Sequence, residues 1–170
     1  KRENGELKEV EFDKEPWIPV LKKQIPVKAH AHRADDILTA IRIAKEFDIE
    51  LTLDHCTEGH LIADEIKASG FPAIIGTSLT ARSKAEVANM SFKTGGVLER
   101  AGIMTAITTD HPVAIIRYLP ICAGLTVKQG MSMEEGLKSL TINAAKICRT
   151  DDRVGSLEPG KDADIAVFTD

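Results

Sequence analysis

The sequence has no run of apolar residues near the roughly 18–20 needed to span a bilayer, so no membrane-spanning helix is expected. Its first eleven residues are mostly charged and lack the apolar stretch of a secretory signal. An excess of basic charge is missing too. Lysine and arginine number 22 against 26 acidic residues, for a net charge of −4. A mildly acidic surface argues against nucleic acid or an anionic membrane as partner. The three cysteines, Cys56, Cys122 and Cys148, are widely spaced and form no CxxC pair. That excludes a disulfide framework and a zinc knuckle and leaves three free thiols in a reducing, cytoplasmic compartment as the expectation. No initiator methionine opens the chain. At 170 residues it fits one domain or part of a larger one, and the expectation is a piece cut at both ends.

What is present is regular. Residues 1–14 are charged and aperiodic and read as an exposed arm, and Pro16 to Leu21 opens a short helix that Lys22 and Lys23 close. A short apolar run, Ile25-Pro26-Val27-Lys28-Ala29-His30, precedes Asp35 and Asp36, which offer a carboxylate cap to the next helix. Ile37, Ala40, Ile41, Ala44 and Phe47 then follow at helical spacing. Residues 49–55 alternate like a strand, and Leu61, Ile62, Ile66 and Ala68 mark a helix stopped by Gly70. Pro72 to Gly76 is a third strand, and Val97, Leu98 and Ala101 mark the helix that ends at Gly102. Ile103 to Thr108 is a fourth strand, delivering Asp110. Helical periodicity fills 113–128. Ser132 with Glu135 forms a capping-box pattern, and a short helix covers 141–147.

Strand followed by helix, four times over, with continuous apolar strands, is the pattern of a parallel α/β architecture. It leaves an open doubly wound sheet or a (β/α) barrel. Neither GxGxxG nor GxxxxGK[ST] follows any strand, which counts against a nucleotide or sugar-phosphate binder. The expected core is Val27, Leu51, Leu53, Ile74 and Ile107 on strands, with Ile41, Ile66 and Leu98 on helices.

In such folds ligands gather at the C-terminal ends of the strands. Those ends carry His30, His55 and Asp110, three residue types that bind a borderline metal such as zinc. One histidine at a strand end is usually structural; three metal-type residues at three strand ends favour a site. His32 would share a strand face with His30 and lie near it or near substrate. Arg33 could meet a substrate carboxylate or pair with Asp35 or Asp36. His111 is a weaker substrate contact. His60 reads as a surface residue, Cys56 as a buried thiol rather than a nucleophile, and Asp151-Asp152-Arg153 as a solvated turn.

These motifs resemble the amidohydrolase superfamily, in its imidazolonepropionase-like or Xaa-Pro dipeptidase-like branch. Val27-Lys28-Ala29-His30-Ala31-His32 is similar to the family's fifth-strand motif, Leu53-Asp54-His55 to its sixth-strand histidine, and Thr108-Thr109-Asp110-His111-Pro112 to its eighth-strand aspartate. The run Leu140-Thr141-Ile142-Asn143-Ala144-Ala145-Lys146, followed by 152–164, resembles the segment returning from barrel to small β-sandwich. The resemblance implies a (β/α) half-barrel at 25–150, an arm and short helix at 1–24, and the return segment at 151–170. It implies a divalent metal, zinc by ligand type, held by His30, His55 and Asp110. Asp110 would also be the catalytic proton carrier in hydrolysis of an amide or cyclic amide. The first-strand His-x-His pair and the fourth-strand bridging residue have no counterpart. A small-molecule substrate and either a homo-oligomer or a complementing N-terminal half are the partners expected. The rival reading is a catalytically incompetent half-barrel that serves as an assembly module.

Overall fold

The computed structural model describes residues 12–168, so most of the expected N-terminal arm lies outside the described residues. The elements follow the chain as α1 (Trp17–Leu21), β1 (Val27–Ala31), α2 (Ala34–Glu46), β2 (Leu51–His55), α3 (Ala63–Ser69), β3 (Ala73–Ile75), α4 (Lys93–Arg100), β4 (Thr105–Ile107), α5 (Leu119–Lys128), α6 (Met133–Leu140) and α7 (Ile142–Cys148). The strands form one parallel sheet in the order β1-β2-β3-β4. The sheet is open: this is part of a (β/α) barrel, and β1 and β4 are its two edges.

Its core lies between the sheet and the helices. Leu53, Ile66 and Leu98 are fully buried, with Leu51, Ile41 and Ile107 nearly so. Ile37, Ile41 and Ala44 form the buried stripe of α2. Three expectations shift. Val27 and Ile74 are only half-buried, Ile74 because it alternates onto the opposite sheet face, in register with Asp54 and Ala106. Phe47 stands just past the end of α2 and is exposed, since the helical stripe ends with the helix. The expected helix beginning at Leu61 opens instead as a 3₁₀ turn, Gly59–Leu61, with Leu61 exposed.

The caps show where local reading succeeds. The Ser132 hydroxyl accepts from the Glu135 amide at 3.1 Å, as expected for α6, although the Glu135 carboxylate accepts from Asn143 Nδ2 rather than returning to the cap. At α2 the N-cap position is Arg33, and Asp35 inside the first turn accepts from the Asp36 amide at 3.2 Å while pairing with Arg33 in two contacts of 2.9 and 3.0 Å. The α2 N-terminus is also held by Glu58, whose carboxylate accepts from the Ala34 amide and from Asn89 Nδ2, both at 2.8 Å. A residue 24 positions away reaches the helix because β1 and β2 are neighbours and their end loops lie side by side.

This cap yields a stability prediction. The Ala34 amide, more than the Asn89 amide and Arg33, holds the Glu58 carboxyl below the usual carboxylate range. A depressed carboxyl stabilises the fold above its unfolded pKa, and that contribution is lost as pH falls through the folded value. Stability should therefore begin to fall below about pH 4.3. Glu58→Gln should flatten that slope in urea titrations run at several pH values. Glu58→Ala should cost about 1–2 kcal/mol at pH 7, as loss of a helix cap does. Superimposable wild-type and Gln profiles would contradict the assignment.

The two ends of the β/α unit are tied together by Arg149, which follows α7. Its Nη1 donates to the Lys23 carbonyl at 3.1 Å and the Gln24 carbonyl at 2.9 Å, and Nη2 pairs with Glu50. Beyond it no strand forms among the described residues up to 168. The turn at 151–153 is closed by Arg153 on Asp162 at 2.6 Å.

Candidate metal centre

The C-terminal edge of the sheet gathers the side chains that chemistry needs. Donor atoms of His30, His32 and His55 all lie within 4.8 Å of one another. His30 stands in β1 opposite Asp54, and His55 closes β2 opposite Ala31 and Ile75. The His30 and His55 rings meet edge-on with centroids 4.2 Å apart, and His32 stacks on His55 at 4.6 Å. His30 is exposed, His32 half-buried and His55 buried.

Two ring orientations are fixed. His55 Nδ1 lies 2.6 Å from the Gly76 carbonyl oxygen. A carbonyl only accepts, so Nδ1 carries the proton and Nε2 keeps its lone pair for a metal. His32 Nδ1 lies 2.7 Å from the hydroxyl of buried Thr57. Burial, reinforced by His55 and His30, lowers the His32 pKa and favours the neutral imidazole that ligates metals.

The imidazole cluster fits a metal site. Tetrahedral Zn–N bonds of about 2.0–2.1 Å place donors roughly 3.3 Å apart, so the three imidazoles need only a modest closure to share an ion. Imidazole nitrogen is a common ligand of a borderline metal, and catalytic sites keep one position open for water.

Asp110 is not among the three converging donors. It is exposed on the loop beyond β4, and its amide donates to the Thr108 hydroxyl at 3.1 Å. His111 is exposed beside it. Arg33 is exposed and occupied by Asp35. Among the described residues six non-glycine positions have left-handed φ: Lys23, Asp48 and Arg149 stand at turns or a helix end, and the other three lie here. His55, Cys56 and Asp110 have φ of 69°, 44° and 50°, left-handed conformations that side-chain-bearing residues seldom adopt and that cluster at functional sites.

Cys56 is fully buried, and burial pushes its thiol up to about 12, so it is no nucleophile near pH 7. His60 departs from the surface reading. It is half-buried, with Nδ1 3.0 Å from the hydroxyl of buried Thr94, because the 3₁₀ turn lays it against α4. Sequence reading missed Thr57 and the Gly76 carbonyl. The only signal for Thr57 was its place two residues after His55, and a backbone carbonyl leaves none.

A parallel β/α sheet with imidazoles converging at its C-terminal edge is an arrangement that fits a metal site of the (β/α)-barrel class. The model of the amidohydrolase family matches residues 20–170, and the chain belongs to that family. The imidazolonepropionase of Rhizorhabdus wittichii is 30% identical over 149 residues, covering 85% of this chain and 36% of that protein. An amidohydrolase from Thermotoga maritima MSB8 superposes with a TM-score of 0.90 at 41% identity, over 96% of this chain and 43% of that one. An adenosine deaminase from Xanthomonas campestris, solved with bound zinc, shares the fold at a TM-score of 0.58 and 20% identity, over 83% of this chain and 36% of that one. The chain thus spans less than half the length of these proteins.

Proposed function

We propose that this chain supplies part of the active site of a metal-dependent amidohydrolase that cleaves an amide or cyclic amide C–N bond in a small-molecule substrate. The convergence of His30, His32 and His55 at one strand-end edge carries the reading. A divalent ion there, zinc by donor type and as in the adenosine deaminase of the same fold, would polarise the scissile carbonyl and lower the pKa of its water to about 7. His30 and His55 are the ligands. Asp110 completes the set when its loop closes on them, accepts the proton of the attacking water and returns it to the leaving nitrogen. His32 orients its neighbours, with Arg33 and His111 at the rim for substrate. Three free thiols agree with a cytoplasmic setting.

Purified chain dialysed against zinc should hold less than one ion per chain by elemental analysis, because the first-strand pair of the family is missing. One ion per chain surviving chelator would contradict that ligand count. Against a panel of N-acyl amino acids, dipeptides and cyclic amides, Asp110→Asn should reduce hydrolysis about 10²–10⁴-fold and, because Asp110 also completes the ligand set, lower zinc content as well.

The open sheet edges and the place of Asp110 outside the histidine group favour a second reading, in which the half-barrel is inert until a complementing N-terminal half joins it. Zinc-loaded chain inactive alone but active with a separately expressed first half-barrel of the Thermotoga protein would select it.

A further inference from the structure

We infer that Gly76, at the end of β3, is a positioning residue that fixes the ring of His55 and, through Thr108, the loop carrying Asp110. The inference rests on the metal-site reading above for its functional meaning, but its geometry stands apart from it. The Gly76 carbonyl accepts from His55 Nδ1 at 2.6 Å and so selects one tautomer. Side-chain hydrogen bonds of this kind orient ligating imidazoles throughout metal sites. Here the acceptor is main chain, so its position is set by backbone conformation alone.

That conformation admits only glycine. Gly76 has φ of 122°, and a Cβ there would lie 2.2 Å from the Thr108 carbonyl oxygen and 3.2 Å from its carbon. The obstacle is backbone, which a rotamer change cannot clear. Thr108 is itself held, its amide donating to the Ile75 carbonyl at 2.9 Å, and its hydroxyl accepts from the Asp110 amide. A side chain at 76 must therefore swing the carbonyl away from His55 or displace Thr108 and with it Asp110. One glycine thus couples the ends of β2 and β4 across β3.

The test is long-range 1H–15N correlation on the labelled, metal-free full chain at about pH 8, where imidazoles are neutral. His55 should show a protonated Nδ1 and a bare Nε2, the tautomer less favoured by free histidine. Gly76→Ala should mix the His55 tautomers and weaken zinc binding 10–100-fold in competition with a chromophoric chelator, the range expected for an outer hydrogen-bond partner. Core amide shifts should stay in place, which separates positioning from unfolding. If Gly76→Ala does not fold, Thr108→Val serves: the Asp110 amide resonance should move while the His55 ring keeps its tautomer. A wild-type His55 protonated at Nε2, or a Gly76→Ala chain with unchanged tautomer and zinc affinity, would overturn the proposal. Wild-type chain with the Nδ1 tautomer but no zinc binding would sink the metal reading and leave the Gly76–His55 lock in place.

Discussion

Light scattering after size-exclusion chromatography should show the purified chain as a species larger than one copy. The expectation comes from the sheet. A closed barrel has no strand edge, whereas here β1 and β4 each pair on one side only. The face opposite the helices carries Lys28 and His30, both exposed, and Asp54 and Ile74, both partly buried. Lys28 and Asp54 meet at 3.8 Å there. Each backbone group left unpaired and shielded from water costs about 1–3 kcal/mol. A few of these approach the whole stability of a small domain, about 5–15 kcal/mol. Edge pairing with a second copy, or with a complementing half-barrel, removes the cost. A stable monomer at micromolar concentration with a sharp unfolding transition would show that the edges are protected in another way. Proline substitution tests the route. Lys28→Pro removes an amide from β1, so the larger species should weaken if that edge makes the contact.

Removal of either His30 or His55 should lower zinc affinity by more than about a hundredfold, beyond the range for loss of an outer partner. His32→Ala should cost less, because its Nδ1 already engages Thr57 and it orders the others by stacking. Isothermal titration of the three variants against wild type reads this ranking directly. Equal losses for all three would make His32 a ligand in its own right. A loss confined to His32 would displace His30 and His55 from the site. Unchanged binding in every variant would place the metal elsewhere.

The order of elements was legible because each depends on neighbours in sequence. The α2 stripe of Ile37, Ile41 and Ala44, the Ser132 cap and the four strand positions all follow from short-range periodicity and turn chemistry. The imidazole positions were legible too, since a parallel β/α pattern places strand ends on one edge wherever the strands lie. His30 and His55 lie with His32, and without Asp110, in one group of donors within 4.8 Å of one another. His32 joins them more closely than its reading as a substrate contact implied, because β1 ends at Ala31 and the chain turns there.

What sequence could not supply are bonds between residues far apart in the chain. Glu58 reaches the α2 N-terminus because the β1–β2 pairing brings two loops together, and a helix amide has no preference for a near acceptor over a distant one. His60 is drawn from the surface by Thr94 in the same way. The His55 tautomer depends on a carbonyl 21 residues on, whose direction is set by a glycine lodged against Thr108. Amino-acid type determined which groups could bind a metal. Strand pairing decided which of them meet, because hydrogen bonds and coordination fall off within a few ångströms and only the folded sheet sets those distances.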